Sequence, residues 1–176
     1  MIDFSRNHFE LFGMPERFVV DADALERSYR ALQSEIHPDR FAAAADTQRR
    51  LALQSSARVN EAYRALCDPV DRAQYLLSLH GVDAMAENGA ALELDFLERQ
   101  LERREAASEA LAARDAPALE RLLADVRAES AALELRLAAL LDGESAWDTA
   151  RARVRELRFL GKLAADVDDM LGELES

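Results

Sequence analysis

His37 and Asp39 are the residues of this sequence best placed to do chemistry together, and Pro38 stands between them. An imidazole beside a carboxylate could serve as a general base. The intervening ring argues against that use. Pro38 fixes its own φ and stiffens the loop, and no nucleophile, oxyanion motif or glycine-rich phosphate loop accompanies the pair. The same stiffness suits recognition. Two ring nitrogens and one carboxylate are presented from an ordered loop, and Asp39 can form a charge-assisted bond to an arginine on a partner. Metal chemistry finds little support. Cys67 is the only cysteine, and His8, His37 and His80 are too far apart in sequence to make a ligand spacing. The chain is therefore expected to carry no metal, cluster or other cofactor, with Cys67 as a small packing residue and His8 and His80 as structural ones.

The elements that must position this tripeptide are helical. Asp23-Ala24-Leu25-Glu26 has the pattern of a capping box. Leu25, Tyr29, Leu32 and Ile36 follow at spacings of four, three and four, one apolar helix face. Pro38 ends that helix, because the residue before a proline is driven out of the helical region. Asp46 or Thr47 is expected to cap the next helix, with Leu51, Ser55, Val59, Ala62 and Leu66 on its buried side. Pro69 closes it and opens a short helix to about His80, with Gly81 as C-cap. The loop thus joins two helices of a hairpin.

Residues 81–91 have weak periodicity and two glycines, Gly81 and Gly89, and read as a linker between a domain at 1–80 and another at 92–176. Beyond it the pattern predicts helices over roughly 94–112 and 117–141. A third is expected after the Asp142-Gly143 break, capped by Ser145 and carrying Trp147, Val154, Leu157, Leu160 and Leu163. Three such helices with short connections fold as an antiparallel bundle. The fold class is all-α, with no strand-like alternation and no internal repeat.

Charge is divided unevenly. Residues 1–80 hold 10 Lys and Arg against 12 Asp and Glu, whereas residues 81–176 hold 12 against 22. That excludes nucleic acid as a natural partner. A basic protein partner for the second half and a merely solubilising acidic surface are the two readings that remain. No apolar run approaches the ~18 residues of a membrane span, and the first residues do not form a secretory signal. A cytoplasmic protein without a membrane is expected.

The sequence around the tripeptide resembles the J domain. Tyr29-Arg30-Ala31-Leu32, the loop His37-Pro38-Asp39-Arg40-Phe41, the run from Arg58 to Leu66, the Asp68-Pro69 step and Arg72-Ala73-Gln74-Tyr75 carry the likeness. The resemblance extends from about residue 6 to residue 171. The segments Asn7 to Pro15, Ala73 to Gly81, Phe96 to Glu102 and Leu157 to Leu163 are similar to the HscB family, co-chaperones of iron–sulfur cluster assembly. It implies an N-terminal J domain joined to a C-terminal three-helix bundle. The J domain would stimulate the ATPase of a DnaK-class chaperone, HscA, and the bundle would bind the cluster scaffold IscU and deliver it. The protein would itself be no enzyme.

The resemblance also assigns residues. His37, Pro38 and Asp39, with the arginines Arg27, Arg30 and Arg40, would meet the chaperone. Ile36 stands where most J domains have tyrosine, and Gln33, Ser34 and Glu35 stand where many carry lysines. This thin basic face favours a dedicated chaperone. Leu97, Glu98, Leu101, Glu102, Glu105 and Phe159 would meet the scaffold, Glu98 standing in place of a methionine. Leu97 and Leu101 share a helix face, and the glutamates flank it, giving an apolar centre with an acidic rim. Spacing alone would put the two leucines in the bundle core, and the resemblance turns them outward. The alternatives are a J-domain co-chaperone for a different client, a bundle used only to dimerise, and an enzyme built on His37 and Asp39.

Overall fold

The computed structural model describes residues 3–41, 45–86 and 92–175, with the backbone alone at positions 38 and 39. It divides into two compact units, Met1–Leu76 and Leu77–Ser176. Among the described residues every regular element is helical, and none of these helices is long and apolar enough to cross a membrane.

The first unit opens with a one-turn helix that the pattern reading did not anticipate, α1 (His8–Leu11). It is short but capped at both ends. The Asn7 side chain accepts from the Glu10 N–H at 2.9 Å while the Glu10 carboxylate accepts from the Asn7 N–H at 2.8 Å, a reciprocal capping box. Gly13, at φ +66°, closes it, with Gly13 N–H bonded to Glu10 O and Met14 N–H to Phe9 O. Only glycine takes that φ without strain. In α2 (Ala22–Ile36) the cap is Asp21, which accepts from the Ala24 N–H at 2.9 Å. The expected Asp23 lies inside the first turn, where its charge still meets the positive helix end. The helix stops at Ile36 as expected. His37 leaves the helical region with ψ 127°, and a 3-10 turn, Pro38–Phe41, follows.

α3 (Asp46–Cys67) is preceded by Ala45, which makes no side-chain cap. Neither Asp46 nor Thr47 is the cap. Asp46 enters the first turn and pairs with Arg49 one turn on. Ser55, Val59, Ala62 and Leu66 are buried as the spacing predicts, whereas Leu51 is only half-buried and Ala52 is buried in its place. Asp68 then caps α4 (Pro69–Leu79) by accepting from the Asp71 N–H at 2.9 Å. Phe9, Phe12, Phe18, Leu25, Ile36, Ala73 and Leu76 are buried with these residues of α3, whereas Cys67, expected as a packing residue, is exposed because it falls on the outer side of the last turn of α3. His8 is buried, its ring stacked on Tyr75 at 3.9 Å, and its backbone N–H donates to the Tyr75 hydroxyl at 3.0 Å.

The division between the units falls inside α4, with Leu77 fully buried on the second side. Gly81, at φ +76°, terminates the helix as anticipated. Its N–H bonds Ser78 O and the Val82 N–H bonds Leu77 O. The segment read as a linker is anchored over its first part. Ala84 is buried. Arg155 Nε donates to Ala84 O at 2.7 Å, and Arg151 Nη2 to Ala86 O at 3.2 Å. The rest of it, 87–91, lies outside the described residues.

α5 (Leu94–Ala112), α6 (Ala116–Ala138) and α7 (Trp147–Glu175) form the three-helix bundle. α6 runs antiparallel to α7, and Leu119, Leu123, Val126, Leu160, Leu163 and Val167 are buried in one cluster with Phe96 and Ala107 of α5. α6 does not reach Leu141 as an α-helix. It passes into a π-helical turn, Ala139–Glu144, and Ser145 takes a left-handed conformation at φ 51°. Ser145 thus ends the preceding turn and does not cap α7. Trp147 is half-buried and stacks on the His80 ring at 3.8 Å.

α5 is assembled unlike its neighbours. Its buried residues are Phe96, Gln100 and Ala107, whereas Leu94, Leu97 and Leu101 are exposed. Ion pairs supplement its thin apolar contact: Arg103 to Glu129 at 2.6 Å and Arg104 to Asp166 at 3.6 Å. Gln100 is 1% exposed, and its Nε2 has no hydrogen-bond partner. An orphaned buried donor costs roughly 1–3 kcal/mol.

Three outcomes are expected. A chain beginning at Leu77 should melt cooperatively, whereas one beginning at Leu92 should lose Leu77, Ala84 and two arginine acceptors. It should be less stable by about 2–5 kcal/mol in chemical denaturation. Gln100→Met should raise the melting temperature of the second unit by removing the orphaned amide, an effect of about 1 kcal/mol. The His8 imidazole is held below its ordinary range, first by burial and then by the Arg58 charge. The unfolded chain therefore binds the proton more readily. His8 leaves the fold at full strength above about pH 6.5 and weakens it progressively as pH falls below that value. Denaturant titrations of the parent and His8→Phe at about pH 7.5 and pH 5.5 should show a smaller acid loss in the variant.

Candidate functional site

Contacts between α2 and α3 and within the turn Pro38–Phe41 fix the start of the loop that joins the two helices. Tyr29 stacks on Tyr63 at 4.0 Å between ring centres, and its hydroxyl donates to Asn60 Oδ1 at 2.9 Å. Gln33 Nε2 donates to the same oxygen. Gln33, one of the positions that depart from a lysine-rich helix, thus closes the hairpin. At the loop itself Arg40 N–H bonds His37 O at 3.0 Å, and Arg40 Nη1 donates to Ser34 O at 2.9 Å. That bond satisfies one of the carbonyls a helix leaves unpaired at its C-terminus and ties the turn back to α2.

His37 and Arg40 are exposed on this turn. The side chains of Pro38 and Asp39 lie outside the described residues. Arg27 and Arg30 are exposed on α2, and with Ser34 they follow at spacings of three and four along one face toward the turn. Arg30 is paired with Glu26 at 2.5 Å. Two of the three expected cations therefore have partners within the unit, Arg40 on a carbonyl and Arg30 on a carboxylate. Beside the turn lies a cleft of about 520 Å³, floored by Leu11, Leu32, Ile36 and Leu51 and bordered by Glu35 and Arg40. Sequence reasoning did not find it, because Leu11 and Leu51 come from separate elements and only the tertiary fold brings them to Ile36.

In the second unit, Leu97 is 39% exposed and Leu101 60% exposed. Glu98, Glu102 and Glu105 are exposed beside them and form no ion pair with any described residue. Phe159 is placed differently. It is half-buried, edge-on to Phe96 at 5.9 Å, with the Arg104 guanidinium 5.2 Å above its ring. Three features of this face escaped the sequence reading. Leu94 is 68% exposed, Glu109 continues the glutamate row, and Arg104 covers Phe159. The spacing of Leu94, three residues before Leu97, was a signal that could have found the first.

Comparison with known proteins covers both units. The DnaJ domain model matches residues 7–75, and the model described as the HSCB C-terminal oligomerisation domain matches residues 92–168. The chain is similar to the co-chaperone protein HscB homolog of Paraburkholderia phymatum, 46% identical over 176 residues and covering 100% of both chains. It is 48% identical to that of Burkholderia multivorans over the same span, again 100% of both. Among solved structures, the chaperone HscB from Vibrio cholerae superposes with a TM-score of 0.86 at 36% identity, over 96% of this chain and 99% of that one. The human co-chaperone protein HscB shares the fold with a TM-score of 0.88 at 24% identity, over 95% of this chain and 83% of that one. With a J-type hairpin in the first unit, the bundle in the second and relatives matched from end to end, the chain belongs to the HscB family of co-chaperones.

Proposed function

We propose that the first unit stimulates the ATPase of a dedicated DnaK-class chaperone, HscA, and that the second binds the iron–sulfur scaffold IscU and delivers it to that chaperone in the cytoplasm. The observation that carries the reading is the braced turn. The Tyr29–Asn60–Gln33 network joins the two helices that flank the turn, and the bonds of Arg40 to Ser34 O and His37 O tie back the backbone on which His37, Pro38 and Asp39 sit. A braced loop loses little freedom on binding, so its contacts are not consumed in ordering it.

The co-chaperone supplies no reacting group. His37 and Asp39 bias the chaperone toward its hydrolysing conformation by binding that state better, as any effector must. Arg27 and Arg30 steer the encounter, and salt weakens that steering. On the other unit Leu97 and Leu101 supply apolar contact, and Glu98, Glu102 and Glu105 orient a basic partner. Phe159 enters as support beneath the face, or as a contact once Arg104 moves aside.

The test is chaperone ATPase with and without IscU. His37→Gln or Asp39→Asn should each reduce stimulation at least tenfold, as loss of a charge-assisted bond worth about 1.5–3 kcal/mol requires. Circular dichroism and scaffold binding should be unchanged. Stimulation that survives both substitutions would rule the mechanism out.

A further inference from the structure

Three exposed leucines on one helix require an account that the bundle does not give. Single exposed apolar side chains are ordinary on soluble proteins. Leu94, Leu97 and Leu101 are not scattered. At 3.6 residues per turn they fall within an arc of about 60° and span about 10 Å of α5. Leu94 is the most exposed of them at 68%. Its position is not forced by the start of the helix. Leu92, two residues earlier, packs against the bundle core, so the chain dips into the core there and emerges at Leu94. Glu98, Glu102, Glu105 and Glu109 occupy the adjoining strip of the same helix, all exposed and forming no ion pair with any described residue.

Resting on the scaffold-binding reading above, we propose that Leu94 is a third anchor of that face, extending it one turn toward the start of α5. The occupant is a segment of the scaffold with an apolar row and, directly beside it, a row of lysine or arginine. Two observations favour this. Phe159 is engaged, edge-on to Phe96 and covered by Arg104, so the free apolar surface next to Leu97 and Leu101 is Leu94. The unpaired carboxylates choose the partner's chemistry. A second copy of this chain packed on the same strip would set glutamates against glutamates, whereas a basic segment would neutralise them.

The experiment is titration calorimetry of IscU against the full chain and its Leu94→Ala, Leu97→Ala, Leu101→Ala and Leu135→Ala variants, with thermal melts and sedimentation of each. Leu135, 76% exposed on α6, is the control. Leu94→Ala should weaken scaffold binding about tenfold or more at an unchanged melting temperature, Leu94→Met should largely restore it, and Leu135→Ala should leave affinity intact. If Leu97→Ala and Leu101→Ala weaken binding but Leu94→Ala does not, the third anchor is wrong and the binding face stands. If none of the three does, the face itself is wrong. Equal loss in Leu135→Ala, a lowered melting temperature in Leu94→Ala, or a change in oligomeric state in place of scaffold affinity would each overturn the proposal.

Discussion

The second unit depends on the packing of α6 against α7. Leu119, Leu123 and Val126 in the first half of α6 meet Leu160, Leu163 and Val167, from the middle of α7 onward, all within one buried cluster. Each fully buried aliphatic side chain of this kind contributes about 1.5–3 kcal/mol, while an exposed ion pair gives at most about 1 kcal/mol. The pair therefore holds the unit together, and α5 is added to a surface that already exists. That is why α5 can be attached by Phe96, Ala107 and two arginine–carboxylate pairs, and why its leucines are available to face outward.

The first unit meets its constraint at Pro38. A helix cannot continue through the residue before a proline without a clash, so α2 has to stop at Ile36 and the chain has to turn. What converts a forced stop into a defined surface is a small set of polar contacts. Asn60 receives Tyr29 and Gln33 from the facing helix, and Arg40 reaches back to Ser34. Polar contacts of this kind between helices specify register more than they add stability. The hairpin owes its stability to the aliphatic face of α3 and its geometry to those few bonds.

Much of this was legible in the amino-acid order, and the reason varies from element to element. α2 to α5 were readable because prolines at 38 and 69 and a glycine at 81 punctuate them and their apolar spacings are regular. The first cap was misread, because Asp21 and Asp23 are both plausible caps and spacing does not separate them. α1 escaped because four residues carry no periodicity. The end of α6 was misplaced because a π turn keeps apolar residues, Leu140 and Leu141, buried beyond the last α-helical residue. The candidate loop was legible as a motif, but its bracing was not, since Gln33 and Asn60 are 27 residues apart. On α5 the spacing of Leu97 and Leu101 fits a buried stripe as well as an exposed one. Which way they point is decided by α6 and α7, against which α5 turns Phe96 and Ala107 instead.

The aromatic residues are distributed in a way that bears on how the molecule can be observed. The chain has three tyrosines, Tyr29, Tyr63 and Tyr75, and one tryptophan, Trp147. All three tyrosines belong to the first unit and the tryptophan to the second. Trp147 lies flat against His80, an arrangement in which the indole's emission depends on the imidazole being in place. Excitation at the red edge of indole absorption, where phenols are dark, thus follows the second unit alone. Phenol absorbance, separated from the overlapping indole band in second-derivative spectra, follows the first. The unmodified protein carries two optical channels, one per unit, and the unfolding of either can be followed without a dye, a label or a substitution.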